Sequence, residues 1–312
     1  MRKALALCVA VAVCIVGCET GKKGRTIGFS QTGAESAWRT AETISIREEA
    51  DKRGVTLKFT DAQSKTDKQK KDVRTLVAMG VDAIILAPIV KTGWDQVLGE
   101  AKDAGIPVVL VDRGIEVKDE SLYATLIASD FIEEGRMAGE WLARKTGGTC
   151  KIVQLEGEPG SDPAIDRKKG FEEAIAKHAG MEIIASQTAM FKRSEGRKVM
   201  ADLINAHGKN IEAVYAHNDD MALGAIQALE AAGMKPGTDV IVLSIDAIKD
   251  AFQAMIDGKL NCTVECNPLL GPLAFDAVEK VLAGETLPKR ITMQDRLFEP
   301  KDAANLIKDW KY

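Results

Sequence analysis

The sequence predicts an α/β fold of two similar lobes, each a doubly wound parallel sheet, and three observations carry that reading. Short, almost wholly apolar runs alternate with amphipathic helical stretches, the pattern of parallel strands covered on both faces. The alternation then occurs a second time with clear echoes, Val81–Pro88 against Ile211–Asn218. Polar residues follow the apolar runs, where a doubly wound sheet has its binding surface.

The chain opens with Arg2 and Lys3, then the uncharged stretch Ala4–Gly17, then Cys18. The uncharged stretch is shorter than the roughly 20 apolar residues of a spanning helix. A basic start, a short apolar run and a small residue before the cut describe a secretory signal. The run Ile15-Val16-Gly17-Cys18 resembles a bacterial lipobox, which implies removal of residues 1–17, acylation of Cys18 and a lipidated tether over 18–24. The mature chain is then expected on the periplasmic or extracellular face of the cell membrane, held there through lipid alone.

Thr26–Ser30 is an apolar strand, and Ser36–Arg53 a helix with apolar positions at helical spacing. Val55–Thr60, Ala83–Ala87 and Val108–Val111 follow as strands, separated by helices over Asp67–Met79 and Gly93–Ala104. In the second half Lys151–Leu155 answers the first strand, Gly170–His178 the first helix and Glu182–Ser186 the second strand. Each half closes with Ala-Gly (Ala104-Gly105, Ala232-Gly233) and an apolar strand ending in aspartate, Asp112 and Asp246. The repeating units cover roughly 25–128 and 150–265, a period too long for a solenoid.

Composition narrows the function classes. The chain is 46% apolar and 28% charged, normal for a protein with sizeable cores. Loss of Arg2 and Lys3 with the leader leaves 40 basic against 46 acidic side chains, a net charge of −6. No basic block with interleaved aromatics is present, so no nucleic-acid partner is expected. Of six cysteines, Cys8 and Cys14 leave with the leader and Cys18 takes lipid. Cys262 and Cys266 share a strand about 13 Å apart, too far to bridge. With Cys150 they match no zinc motif and read as small buried apolar residues. His178, His207 and His217 lack ligand spacing, so no metal is expected.

The strand-end rule selects Ser30-Gln31, Asp61, Pro88, Asp112-Arg113, Glu156, Asn218-Asp219 and Asp246. Asp219 and Asp220 read as helix caps, because acidic groups suit a helix N-terminus. Trp94, Trp141 and Trp310 are assigned to packing.

Several runs, in this order, resemble the periplasmic sugar-binding proteins of the ribose type, the receptors of ABC sugar importers. They are Val111-Asp112-Arg113, Ala128-Ser129-Asp130, Asp166–Phe171 and Ala216–Met221. The likeness spans about residues 25–300. Gly28–Gln31, Glu35-Ser36, Trp38-Arg39, Ile165–Phe171 and Tyr215–Met221 are most similar to the galactofuranose-binding branch.

The resemblance implies a type I periplasmic binding protein fold with a three-strand hinge near 129–131, 264–268 and 290–297. One lobe would hold 25–129 with 267–292, the other 130–266 with 293–312. It implies a monomer that closes on one monosaccharide, galactofuranose- or galactose-like, and docks on an ABC permease without any cofactor or bond cleavage. The implied ligand residues are Gln31, Glu35, Trp38, Arg39, Asp112, Arg113, Arg167, Asn218, Asp246 and Glu265.

Each position has a chemical reason. Asp112 and Arg113 pair an acceptor with a planar fork of donors, which suits neighbouring hydroxyls; Arg167 brings a second fork from the other lobe. Asn218 both donates and accepts, and Asp246 is an acceptor at a strand end. Trp38, or alternatively Phe191, would cover the apolar sugar face. Glu35 and Arg39 stand where ribose receptors commonly carry a second aromatic, so a more polar pocket is expected. The sequence departs from the family at Ala247, where glycine is usual, and at Thr263–Pro268, which is one residue short. The shortened run leaves open whether Glu265 or Cys266 faces the sugar.

A receptor that reports to a histidine kinase or chemoreceptor is the alternative. A sugar-responsive repressor is excluded by the lipoprotein leader where a DNA-binding segment would sit. Nicotinamide-dependent chemistry is disfavoured because Ser30–Glu35 contains no G-x-G-x-x-G and places an acid where a pyrophosphate would bind. No nucleophile with a local base is visible.

Overall fold

The computed structural model describes residues 24–312, so the leader, Cys18 and most of the tether lie outside the described residues. The first half runs β1 (Thr26–Gln31), α1 (Ala37–Lys52), β2 (Thr56–Asp61), α2 (Thr66–Ala78), β3 (Ala83–Leu86), α3 (Asp95–Asp103), β4 (Val108–Val111) and β5 (Thr125–Ala128). The second runs α4 (Phe131–Thr146), β6 (Thr149–Glu156), α5 (Asp162–Ile175), β7 (Gly180–Thr188), α6 (Arg193–His207), β8 (Ala213–Ala216), α7 (Asp219–Ala231), β9 (Ile241–Asp246), α8 (Lys249–Ile256) and β10 (Cys262–Glu265). Then come α9 (Gly271–Leu282), β11 (Arg290–Thr292), β12 (Leu297–Phe298) and α10 (Pro300–Leu306).

Two six-stranded sheets result, in the orders β11-β5-β4-β3-β1-β2 and β12-β10-β9-β8-β6-β7. Strand order reverses beside β1 in one sheet and beside β6 in the other, which opens a crevice at the carboxyl ends of both. All pairings are parallel except β10 with the two-residue edge strand β12, which departs from the all-parallel expectation. The chain passes between the sheets three times, at residues 129–130, 266–270 and 293–296.

Burial follows the layering. The inner strands β3, β4 and β8 are buried at every residue, whereas the edge strands β2 and β7 alternate or stay open. In the first lobe one sheet face packs on Ile46, Leu270 and Phe275 and the other on Val73, Leu76 and Trp94. The second lobe has one continuous core, and Trp38 of the first lobe is part of it. Cys150, Cys262 and Cys266 are buried free thiols.

Local chemistry explains where the helices begin. The Ser36 side chain accepts from the Arg39 N–H at the start of α1, and Asp130 accepts from Glu133 at the start of α4. α5 starts eight residues before the expected Gly170, because Ser161 and Pro163 form a favourable start and Gly170 is interior. Asn218, not Asp219 or Asp220, caps α7 by accepting from the Met221 N–H. Asp219 instead turns inward to Ser244, Thr263 and the Ile248 N–H.

Glycines set how closely two helices cross in the second lobe. A Cβ on Gly135 of α4 would sit 2.2 Å from the Arg167 carbonyl oxygen of α5. One on Gly170 would sit 2.0 Å from the Ile132 carbonyl oxygen. The two backbones therefore touch, and Glu134 is brought against Arg167.

Candidate functional site

In the first lobe α1 starts just beyond β1, and helical spacing stacks Glu35, Arg39 and Glu42 on one face. The Arg39 guanidinium donates to Glu35 Oε1 at 2.9 Å, Glu42 Oε2 at 2.5 Å and Asp112 Oδ2 at 2.7 Å. Asp112 follows β4 with φ 62°, a left-handed conformation that costs a non-glycine residue about 1–3 kcal/mol and turns its carboxylate toward the crevice. Arg113 follows, buried, with Nη1 donating to the Ile89 carbonyl at 3.3 Å and Nε without a hydrogen-bond partner. Its guanidinium carbon lies 5.4 Å from the Phe191 ring of the other lobe.

The second lobe contributes a similar set. Arg167 of α5 donates to Glu134 Oε2 at 2.7 Å and to the His217 carbonyl at 2.6 Å, and its Nη2 lies 3.4 Å from Asp246 Oδ1. Asp246 ends β9 with φ 123°, and Ala247 follows at φ 59°. The turn for which glycine is usual is thus kept by alanine, with strain. Phe191, also left-handed at φ 59°, accepts through its carbonyl from Asn218 Nδ2 at 3.2 Å. The Asn218 amide is thereby fixed at both ends.

These groups line one narrow, partly open cavity of about 20 Å³ between the lobes. Its walls include Glu35, Trp38, Arg39, Asp112 and Arg113 from one lobe and Arg167, Phe191, Asn218 and Asp246 from the other. Ser36, Pro163 and Cys266 complete it, and the sequence reading assigned no ligand role to the first two. Cys266, rather than Glu265, is the residue of the shortened run that faces in.

Two expected ligand residues lie elsewhere. Gln31 is fully buried beside the cavity, its amide donating to Glu42 Oε2 at 2.8 Å and Thr43 Oγ1 at 3.1 Å. The Glu265 carboxylate pairs with Arg296 at 3.0 Å and accepts from the Tyr312 hydroxyl at 3.0 Å. Side chains alternate along β10, so the residue after Glu265 presents the opposite face.

The lobes also meet through contacts of their own. Trp38 Nε1 donates to the Cys266 carbonyl at 2.5 Å, and the Ala37 N–H donates to Asp220 Oδ2 at 2.7 Å. Asp162 accepts from the Gly114 N–H at 2.9 Å and pairs with Lys91 at 2.7 Å, while the Lys91 N–H donates to the Gly160 carbonyl at 3.0 Å.

Charge in this region is set by burial against pairing. Burial pushes the Glu35 carboxyl up, but Arg39 and Arg113 outweigh it and hold the group below the usual range. Glu42, deeper, is pushed up to about 7 by burial despite Arg39. Glu134 rises to about 8 by burial despite Arg167, and burial likewise raises Asp246. Burial drives the His217 imidazole well down, so it is neutral. Among the described residues no cluster of His, Cys, Asp and Glu is arranged to hold a metal, and no helix is long and apolar enough to cross a membrane.

Three donor forks, three carboxylate acceptors, a fixed amide and two aromatic faces converge on the cavity, a set suited to a small polyhydroxylated ring. Comparison with known proteins agrees with this geometry. The chain is 51% identical over 282 residues to the galactofuranose-binding protein YtfQ of Escherichia coli (strain K12), covering 89% of each. It superposes with a TM-score of 0.89 and 49% identity on the periplasmic binding protein component of the arabinose ABC transporter of Shewanella sp. ANA-3, bound to α- and β-L-arabinofuranose. That likeness covers 91% of this chain and 95% of that one. The fructose-binding periplasmic domain of a hybrid two-component system gives a TM-score of 0.84 at 30% identity, over 91% of this chain and 94% of that one. Residues 27–286 match the periplasmic binding protein domain, and the chain belongs to that family.

Proposed function

We propose that this protein is a lipid-anchored extracytoplasmic receptor that captures a galactofuranose- or galactose-like monosaccharide between its lobes and delivers it to an ABC permease. The observation that carries the reading is the interlobe cavity with one arginine–aspartate set from each lobe, Arg39 with Asp112 and Arg167 with Asp246. A ligand that contacts both sets at once stabilises the closed state, because only closure brings the groups of both lobes to one molecule. Two of the relatives, a galactofuranose-binding protein and a receptor bound to arabinofuranose, favour a five-membered ring. Glu35, Trp38, Arg39, Asp112, Arg113, Arg167, Asn218 and Asp246 hold the sugar, with the aromatic faces of Trp38 and Phe191 on its apolar surface. The hinge runs through the three crossings, the receptor acts as a monomer, and acylation of Cys18 ties it to the membrane.

The test is calorimetric titration of the chain from Thr20 onward with galactose, ribose, arabinose, fructose, glucose and inositol, and with methyl β-D-galactopyranoside as a ring-locked control. Binding of galactose or arabinose at one site with no heat from the locked pyranoside is the expected result. Silence across the panel would remove the sugar assignment. The Cys18→Ser protein is expected in the soluble fraction, and continued membrane retention would refute the anchor.

The structural likeness to a two-component sensor domain supports a second reading, in which the closed receptor reports to a kinase. Sugar uptake unaffected by deletion of this protein would favour it.

A further inference from the structure

Behind two of the three arginines of the cavity, Arg39 and Arg167, stands a glutamate that is not among the residues lining it. Glu42 has no exposed surface; Oε2 receives Arg39 Nη1 at 2.5 Å and Gln31 Nε2 at 2.8 Å, while Oε1 has no hydrogen-bond partner. Glu134 is equally buried; Oε2 receives Arg167 Nε at 2.7 Å, and Oε1 again has no partner. Each arginine in turn faces an aspartate held at positive φ at a strand end, Asp112 or Asp246. The same order, glutamate to arginine to aspartate, is thus built twice, from different elements. Burying a carboxylate with an unpartnered oxygen costs stability, so a role is required of it.

We infer that Glu42 and Glu134 are positioning residues for ligand capture: each fixes from behind the guanidinium that orients its lobe's aspartate toward the ligand. An arginine has several rotatable bonds; Arg39 is also held by Glu35 and Arg167 by the His217 carbonyl, and the glutamate adds a charged anchor on the side away from the cavity. With the glutamate in place, the fork has a fixed origin and its remaining N–H groups keep one direction. Gln31 takes part as the second donor to Glu42, which gives this residue a place behind the cavity rather than in it. The inference rests on the sugar-receptor reading for its affinity test but not for its spectroscopic one.

The experiment uses the chain from Thr20 onward, with D-galactose and L-arabinose as probes. Glu42→Leu and Glu134→Leu should each lower affinity at least tenfold. Glu42→Gln and Glu134→Gln, which keep an oxygen toward the arginine, should recover to within about threefold of the parent. A folded leucine variant with parental affinity would overturn the inference. The second readout needs no sugar: the guanidinium Hη signals of Arg39 and Arg167 by nitrogen-15 NMR. In Glu42→Leu the Arg39 signals should exchange with water markedly faster while those of Arg167 stay unchanged, and the reverse is expected in Glu134→Leu. Unaltered arginine signals in both variants would overturn the inference even if neither probe binds. Parental failure to bind either sugar, with the arginine signals moving as stated, would instead count against the sugar reading alone.

Discussion

The two halves of the cavity use the same three residue types but reach them by different routes. In the first lobe Glu35 just precedes the α1 cap and Arg39 and Glu42 lie in its first turns, and Arg39 meets Glu35, Glu42 and Asp112 at 2.5–2.9 Å. In the second lobe Arg167 and Glu134 belong to different helices, and Arg167 Nη2 stays 3.4 Å from Asp246. The Arg39 set is therefore complete within its lobe, held by spacing along one chain segment and by Asp112 just after β4. The second depends on the glycine-mediated crossing of α4 and α5 and keeps a long contact that a ligand hydroxyl can shorten. A preorganised half and an unfinished half suit a receptor in which one lobe binds first and the other closes.

The largest effect should come from breaking only the second half at its crossing. Gly135→Ala drives a methyl group to 2.2 Å from the Arg167 carbonyl oxygen, where only backbone movement can relieve it. A loss near the upper end of the roughly 1–3 kcal/mol typical of overpacking is expected, with a melting temperature lower by several degrees. Retained stability and retained affinity would mean that the crossing does not set the site.

Arg113→Ala comes next. It removes the buried fork next to Asp112 and the contact over Phe191. Affinity should fall at least a hundredfold, about 3 kcal/mol, measured by calorimetry. Near-parental binding would sink the cavity as the ligand site.

A smaller effect is expected from the interlobe contacts outside the cavity. Asp162→Ala removes acceptors for Lys91 and the Gly114 N–H without touching the cavity wall. The closed state weakens, so affinity for every bound sugar should fall by a similar factor of roughly ten, mostly through faster dissociation. A change in which sugar is preferred would place Asp162 in recognition rather than closure.

The smallest effect is the pH dependence of the unliganded protein. Glu42 and Glu134 have folded values raised from 4.5 to about 7 and about 8, chiefly by burial. The folded chain therefore binds more protons than the unfolded chain between those limits. The stability tied to each group is fully present below about pH 4.5 and is lost as pH rises through about 7 or 8. The Glu42→Gln/Glu134→Gln protein lacks those groups, so its melting temperature should gain on the parent as pH rises from 5 to 8. Parallel curves would show that the carboxylates ionise freely.

Much of this design was readable from the chain. Apolar run lengths and the internal echo located the sheets, because fully buried parallel strands leave little choice of residue. Strand-end position brought Asp112, Arg113, Asn218 and Asp246 to the cavity, and the family resemblance added Arg39 and Arg167. Glu42 carried a local signal, three residues after Arg39 on one helix face, that went unread. Glu134 carried none, since its partner lies in another helix and only the Gly135 and Gly170 backbones bring them together. Gln31 and Glu265 were misplaced for a related reason. At a strand end one residue decides the face, and the competing partners Glu42, Arg296 and Tyr312 are remote in sequence.

The central claim is that a sugar joins a finished half-site to an unfinished one by closing the lobes. Lys65 and Ser194 are exposed at the starts of α2 and α6 on opposite lobes, and the described cysteines are buried, so the Lys65→Cys/Ser194→Cys chain from Thr20 onward accepts two spin labels. Pulsed electron resonance would give the distance between them with and without sugar. The account predicts that galactose or arabinose shortens and narrows that distance while methyl β-D-galactopyranoside leaves it unchanged. A distance distribution indifferent to every sugar, at concentrations that saturate binding, would contradict it.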